Sequence, residues 1–379
     1  MSQAINKTDG RTRILLVVGT RPEAIKMAPV ILRLKEEPER FETLVCATAQ
    51  HREMLDSALS MFAIKPDLDL DLMRPNQTLN GLAGRIFEHF DRVLADTEPD
   101  WVLAQGDTTT VMTTALAAFH RGIKVGHVEA GLRTNDLQNP FPEEMNRRVT
   151  DLVADAHFAP TQRSAEALRR EGTEASKIHI TGNTIVDALR WIAARSEPPD
   201  ADQRLVLITT HRRESFGEPM RRVFRALLRL AQRFPNFTFI LPLHLNPNVR
   251  KAAEILRGIA NINLVEPADY RQLVTWLRAC RLILTDSGGI QEEAPTFGKP
   301  TLVLRETTER PEGIDAGVAM LVGTDEERIY QEAERLLSDE AACAAMARAV
   351  NPYGDGHAAD RIARILAGLP VSSFQPGHP

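Results

Sequence analysis

Three acidic side chains lie in segments suited to proton chemistry. They are Asp107 in Gln105-Gly106-Asp107-Thr108-Thr109-Thr110, Glu129 in Gly126-His127-Val128-Glu129-Ala130-Gly131-Leu132-Arg133-Thr134, and Glu143 in Phe141-Pro142-Glu143-Glu144-Met145-Asn146-Arg147-Arg148. Each has a bland reading beside the chemical one. Asp107 precedes a threonine run and would serve as a helix cap. Glu143 and Glu144 open a helix, where carboxylates compensate the helix dipole. Glu129 has fewer structural excuses, because it ends an apolar run and burying it alone would be costly. It must be solvated or paired, and Arg133 is a candidate partner. Together, carboxyl groups emerging from neighbouring loops of one half of the chain form an acid/base cluster.

The other half carries cations and glycines. Thr209-Thr210-His211-Arg212-Arg213-Glu214-Ser215 follows an apolar run and sets a histidine beside two arginines, a setting that suits a phosphate as well as a structural role. Thr285-Asp286-Ser287-Gly288-Gly289-Ile290-Gln291-Glu292-Glu293 runs from strand to paired glycines to helix. The glycines, Gly288 and Gly289, admit a close backbone, and the helix start at Ser287 offers unpaired amides to phosphate. Glu292 or Glu293 would accept from ribose hydroxyls, as acidic residues do in other nucleotide folds, although a turn or C-cap explains the glycines alone. Arg310, in Glu309-Arg310-Pro311-Glu312-Gly313, adds a guanidinium suited to phosphate or base stacking. His244, in Pro242-Leu243-His244-Leu245-Asn246-Pro247, reads as a satisfied histidine in a turn. This division suits a nucleotide diphosphate held by the second half, with its attached group presented to acids and bases in the first.

Alternating strands and helices must aim these groups. Strand-like runs occur at Ile14–Val18, Thr43–Thr48, Trp101–Gln105, Lys124–Val128 and Ile178–Thr181, with helical patterns over Ala24–Lys35, Leu79–Ala95, Thr110–Arg121 and Glu143–Val153 between them. After the polar, proline-marked stretch Arg195-Ser196-Glu197-Pro198-Pro199-Asp200-Ala201-Asp202, typical of a boundary or linker, the pattern restarts. Its runs are Leu205–Thr209, Phe237–Leu241, Asn263–Val265, Leu282–Thr285 and Thr301–Leu304. Such alternation predicts parallel sheets covered on both faces, here two doubly wound Rossmann-like domains facing across a cleft with ligands at the strand ends. A last helix, Ala358–Ala367, stops at Gly368. The clearest corner is Val18-Gly19-Thr20-Arg21-Pro22-Glu23-Ala24-Ile25-Lys26. There an apolar strand passes into a helix with proline in its first turn, and Arg21 and Lys26 reinforce its positive end.

Bulk properties narrow the class. A chain of 379 residues with 43% hydrophobic and 26% charged residues fits a soluble protein of two domains. The net charge of -5 leaves no footprint for nucleic acid. Cys46, Cys280 and Cys343 are scattered and odd in number, which favours buried thiols in a reducing cytoplasm over disulfides or metal ligands. No apolar window approaches the ~20 residues a membrane span needs, and the polar opening residues lack a targeting core. Neither half carries G-x-G-x-x-G or a Walker loop, so dinucleotide or ATP binding of the usual kind is unsupported.

In order and in type, these motifs resemble the non-hydrolysing UDP-N-acetylglucosamine 2-epimerases, relatives of the two-domain GT-B glycosyltransferases. The resemblance runs from Gly19 through Asn351-Pro352-Tyr353-Gly354-Asp355-Gly356. It implies an N-terminal domain of residues 1–181 plus 358–379, to which the last helix crosses back, and a UDP-binding domain of residues 182–357. It implies reversible epimerisation at carbon 2 of UDP-N-acetylglucosamine to UDP-N-acetylmannosamine, through loss of UDP to 2-acetamidoglucal and its re-addition, with neither cofactor nor metal. By position in the motifs, Asp107, Glu129, Glu143 and His211 fall on the family's catalytic residues. Arg21, Lys26, His211, Ser287, Gly288, Gly289, Glu293 and Arg310 fall on its substrate-binding residues. The family also implies a cytoplasmic homodimer serving cell-surface polysaccharide synthesis. Some members are activated by UDP-N-acetylglucosamine at a neighbouring site, which Gln50 and His244 resemble in part. Glu53 and Asn76 depart from the glutamine and arginine expected of strongly regulated members. The hydrolysing relatives open with a Ser-Arg-Ala-Asp-Tyr type sequence in place of Gly19-Thr20-Arg21-Pro22-Glu23. A glycosyltransferase or a nucleotide-sugar sensor has no evident use for three clustered carboxylates.

Overall fold

The computed structural model describes residues 10–48, 52–74, 76–197, 204–212 and 215–377. Its apolar runs become parallel strands buried on both faces, which is why they read as unbroken hydrophobic stretches. In the first sheet these are β1 (Thr12–Val18), β2 (Phe41–Ala47), β3 (Leu68–Asp69), β4 (Trp101–Gln105), β5 (Lys124–Val128), β6 (Ala156–Ala159) and β7 (Ile178–Ile180), in the spatial order β3-β2-β1-β4-β5-β6-β7. The second sheet contains β8 (Leu205–Thr209), β9 (Thr238–Pro242), β10 (Ile262–Val265), β11 (Leu282–Thr285), β12 (Thr301–Val303) and β13 (Ala319–Leu321), ordered β10-β9-β8-β11-β12-β13. Both sheets reverse direction of winding beside their first strand, between β1 and β4 and between β8 and β11. That is where doubly wound folds leave room for ligands.

The chain divides into two compact units. The first ends at Ala188 and takes up the chain again at Gly354, and the second spans Leu189–Tyr353. In the first, Ile14, Leu15, Leu16 and Val18 are fully buried; the helix Arg21–Lys35 packs beside β1 with Ala24, Met27, Ala28 and Ile31 buried, while Leu15 joins Leu82, Ile86 and Phe90 on the other face. In the second, the helix Glu218–Arg233 turns Met220, Val223, Phe224, Leu227 and Leu230 toward Val206, Ile208 and Phe239. This is an i, i+3, i+4 stripe against a sheet face.

The helix Ala358–Leu366 belongs to the first unit and packs on Arg21–Lys35, where Arg33 meets Asp360 at 3.0 Å. Its leading amides, Ala358 and Ala359, donate to Asp187 at 3.3 and 2.9 Å. Burial pushes that carboxyl up to about 6. Cys46, Cys280 and Cys343 are free and buried. Among the described residues no helix is long and apolar enough to cross a membrane.

Candidate active site

In the first unit the sequence places carboxylates just beyond β4 and β5 and at the start of the helix Glu143–Val153. Thr108, rather than Asp107, caps the helix Thr109–His120, its hydroxyl accepting from the Val111 amide at 3.4 Å. Asp107 is thereby left to pair with Arg147, while its carbonyl accepts from Asn146 Nδ2 at 2.9 Å. Glu129 has a φ of 67°, a left-handed conformation that costs a residue with a Cβ and tends to mark functional positions. Its buried carboxylate receives Lys26 Nζ at 2.6 Å, Asn183 Nδ2 at 3.0 Å and Gln105 Nε2.

Arg133 does not pair with Glu129. The turn through Gly131 carries it to Asp151 at 2.8 Å and Glu171 at 2.7 Å. A Cβ at Gly131 would lie 2.3 Å from the Ser164 carbonyl, so only glycine makes that turn.

The two glutamates that open Glu143–Val153 behave differently. Glu144 is fully buried, accepts from the Thr134 and Asn135 amides at 3.0 and 3.1 Å, and pairs with Arg147 and Arg148 at 3.1 and 3.0 Å. Burial opposes its charge, but those donors hold its pKa below the usual glutamate value. Glu143 has its Oε2 shielded from solvent with no hydrogen-bond partner among the described residues. Dipole compensation therefore does not distinguish them, whereas their partners do.

At the Gly19 corner the loop packs tightly, and a Cβ there would meet Thr48 Oγ1 at 2.7 Å and Thr110 Oγ1 at 2.9 Å. The Gly19 amide donates to Glu23 at 2.7 Å, and burial pushes the Glu23 carboxyl up to about 7. Arg21 is exposed at the head of its helix, whereas Lys26, one turn on, is turned to Glu129.

In the second unit the organising group is Asp286, fully buried just past β11. It accepts from the amides of His211 and Arg212 at 2.9 and 3.0 Å, from the Thr210 hydroxyl at 2.9 Å, and faces His211 Nδ1 at 3.2 Å. Burial works against its charge, but the His211 contact and these donors hold its pKa below the usual aspartate range. His211 is thus fixed through one ring nitrogen. Its ring, 44% exposed, stacks on exposed His244 with centroids 5.9 Å apart.

Ser287 caps the short helix Gly288–Glu293, with Gly288 and Gly289 as its first residues. The two glutamates left open by sequence separate here: Glu292 pairs with Arg310, and Glu293 accepts from the Tyr270 hydroxyl at 3.1 Å. The Arg310 carbonyl accepts from the Tyr353 hydroxyl at 3.2 Å, while Glu309 is gripped by Arg305 at 2.7 and 3.0 Å. Burial opposes the charge on Glu309, yet the Arg305 guanidinium holds it at about 2.

Gln50 lies outside the described residues. His244 Nδ1 accepts from the Asn246 amide at 3.2 Å, as a turn histidine does. Sequence reasoning passed over Gln105, Asn183 and Asp286. Asp286 carries the same signal as Glu129, an acid ending an apolar run. Gln105 is the last residue of such a run. Asn183 has no local signal, since only the neighbouring of β6 and β7 beside β5 brings it to Glu129.

Two doubly wound parallel-sheet units, one supplying carboxylates in contrasting settings and the other a braced histidine, arginines and a glycine helix start, define an α/β enzyme of GT-B-like architecture. A family model described as UDP-N-acetylglucosamine 2-epimerase matches residues 32–367. The UDP-N-acetylglucosamine 2-epimerase of Salmonella typhimurium is 50% identical over 375 residues, covering 95% of this chain and all of its own length. That of Bacillus subtilis is 48% identical over 362 residues, covering 94% of this chain and 95% of its own. Among solved structures, the Neisseria meningitidis enzyme bound to UDP-GlcNAc superposes with a TM-score of 0.85 at 45% identity, covering 94% of this chain and 100% of its own. The chain belongs to the UDP-N-acetylglucosamine 2-epimerase family.

Proposed function

We propose that this chain interconverts UDP-N-acetylglucosamine and UDP-N-acetylmannosamine by expelling and re-adding UDP. The observation that carries the reading is the contrast among three carboxyl groups of one unit. Glu129 is buried among Lys26, Gln105 and Asn183, Asp107 is paired with Arg147, and Glu143 has an oxygen without a partner among the described residues. Moving a proton off one face of a carbon and onto the other needs acid and base groups poised differently, and environment is what sets them apart.

The sugar demands an unusual order of events. No carbonyl acidifies the proton at carbon 2, so direct deprotonation is disfavoured. When the bond from carbon 1 to the diphosphate oxygen breaks, its electron pair leaves with UDP and carbon 1 becomes oxocarbenium-like. The proton at carbon 2 is then acidic enough for a carboxylate to take, which leaves a double bond between carbons 1 and 2 in 2-acetamidoglucal. Protonation of carbon 2 on the opposite face, with attack of the UDP oxygen on carbon 1, gives the epimer. Charge on the departing diphosphate calls for preorganised cations and donors, a role for His211, Arg310, Arg21 and the backbone of Ser287, Gly288 and Gly289. Glu293 would hold the ribose. With Nδ1 against Asp286, the His211 ring has Nε2 left to serve the diphosphate. The Neisseria relative, which holds UDP-GlcNAc, supports the choice of nucleotide sugar.

The test is proton NMR of the protein with UDP-N-acetylglucosamine in deuterium oxide. Growth of UDP-N-acetylmannosamine carrying deuterium at carbon 2, with little free sugar, is the expected result. Absence of both product and exchange, even with excess substrate, would overturn the assignment.

A further inference from the structure

Behind the acid/base groups lies a second buried polar cluster. His127, in β5, is fully buried, with Nε2 2.7 Å from the Gly106 carbonyl and Nδ1 2.6 Å from Asp151 Oδ1. A carbonyl and an ionised carboxylate only accept, so contacts of this length call on both ring nitrogens to donate. Asp151 Oδ2 accepts from Arg133 Nη2 at 2.8 Å and from the Gly131 amide at 3.3 Å. Burial alone would neutralise Asp151, but His127 and Arg133 hold its pKa at about 2.

The other charged or titratable groups around the cluster are already engaged or stand at its edge. Glu171 pairs with Arg133, and His157, whose pKa burial lowers, donates from Nε2 to the Asp151 carbonyl at 2.9 Å. Arg148, Glu174 and Lys177 line a cavity of about 250 Å³ that Asp151, His157 and Glu171 also border.

We propose that Asp151, acting through His127, is a positioning residue that clasps the three segments bearing Asp107, Glu129 and Glu143. Gly106 immediately precedes Asp107. His127 and Gly131 flank Glu129 two residues away on either side. Asp151 sits two turns along the helix that Glu143 opens. One carboxylate therefore reaches all of them, directly or through a single ring. Charge-assisted hydrogen bonds are short and directional, so the clasp fixes loop positions that apolar packing would leave looser. The inference rests on the acid/base reading of those three carboxylates.

Substitutions of matched shape test it. In His127→Gln the amide nitrogen stands near Nε2 and keeps the bond to Gly106. In His127→Asn it stands near Nδ1 and keeps the bond to Asp151. Asp151→Asn removes the charge at constant shape. Since misplacement of a reacting group by about 1 Å costs on the order of 100-fold, kcat should fall about 100-fold in Asp151→Asn, with KM and UDP affinity nearly unchanged. The double variant with His127→Gln should be no slower than the worse single variant, because both changes open the same clasp. A kcat within twofold of wild type, or losses that multiply, would overturn the proposal.

Nitrogen-15 NMR of the wild-type histidine rings gives a reading independent of whether any variant folds. Two protonated ring nitrogens at neutral pH are expected for the signal that His127→Gln or His127→Asn removes, and one bare nitrogen sinks the clasp. Should that variant not fold, the count of doubly protonated rings at neutral pH decides, and none would sink the clasp. If Asp107→Asn, Glu129→Gln and Glu143→Gln instead keep normal turnover, the acid/base reading fails, while the ring spectrum still reports on the clasp itself.

Discussion

The two units repeat one strand order, yet they use the corner after their fourth strand in opposite ways. In the first unit β4 ends at Gln105, and Gly106, with a φ of 85°, stands between the strand and Asp107. In the second, Asp286 follows β11 with no intervening residue. Asp107 keeps about a quarter of its side chain exposed (27%) and is held by Arg147. Asp286 is sealed in the interior and binds back onto Thr210, His211 and Arg212 at the end of the adjacent strand β8. Both corners then cap the following helix with the next hydroxyl, Thr108 or Ser287. One added glycine thus separates a carboxylate left partly exposed from one that orients a histidine. The topology supplies the address, and the local turn decides whether the acid there stays partly exposed or braces a neighbour.

If the first unit provides proton transfer and the second holds the nucleotide, substitutions should separate turnover from UDP affinity. The largest effect belongs to the carboxylates: Asp107→Asn, Glu129→Gln and Glu143→Gln should each lower kcat by about 10²- to 10⁴-fold, the usual contribution of acid/base catalysis. Calorimetry should find UDP affinity within a fewfold of wild type. Near-normal turnover in one variant removes that residue from the set, and loss of UDP binding in all three erases the contrast between units.

The reverse substitution lies in the second unit. Arg310→Ala should weaken UDP binding by about tenfold to a hundredfold, the range for loss of a charged hydrogen bond. It also leaves buried Glu292 without its guanidinium, so the measurement belongs with a thermal melt, and with Arg310→Lys, which restores the charge but not the forked geometry. Unchanged UDP affinity in a folded Arg310→Ala protein would take Arg310 out of the nucleotide site.

Much of this arrangement was legible in the sequence because parallel strands are buried on both faces. Long apolar runs such as Ile14–Val18 and Leu282–Thr285 announce themselves, and the carboxylates at their ends stand out by contrast. What escaped was short or non-local. β3, β6 and β13 have two to four residues each, and β6 reads Ala-His-Phe-Ala, with too little pattern to separate it from a loop. The partner of Glu129 escaped for a different reason. Arg133 is near in sequence, but a lysine 103 positions away and an asparagine 54 away win, because adjacent parallel strands bring distant strand ends together. The roles of Glu292 and Glu293 likewise depend on Arg310 and Tyr270, whose approach no spacing rule predicts.

The smallest expected effect concerns Glu23, at the tight Gly19 corner of the first unit. Its side chain is 2% exposed, and burial pushes its pKa from 4.5 to about 7. In the unfolded chain Glu23 releases its proton near the ordinary value, while the native state keeps it until near neutrality. The stability contributed by the neutral form is therefore complete below about 4.5 and is lost as pH rises through about 7. Between those limits the slope is at most about 1.4 kcal/mol per pH unit from this group. Glu23→Gln keeps an acceptor for the Gly19 amide but cannot ionise, so it should gain stability relative to wild type as pH is raised from 5 to 8. Urea titrations at several pH values, with tryptophan fluorescence followed separately for Trp101 in the first unit and for Trp191 and Trp276 in the second, can locate the change. The expected difference appears in the Trp101 transition alone. A wild-type minus variant difference that stays flat from pH 5 to 8 would show that Glu23 is ionised throughout, and that the corner holds a buried charge instead of a buried acid.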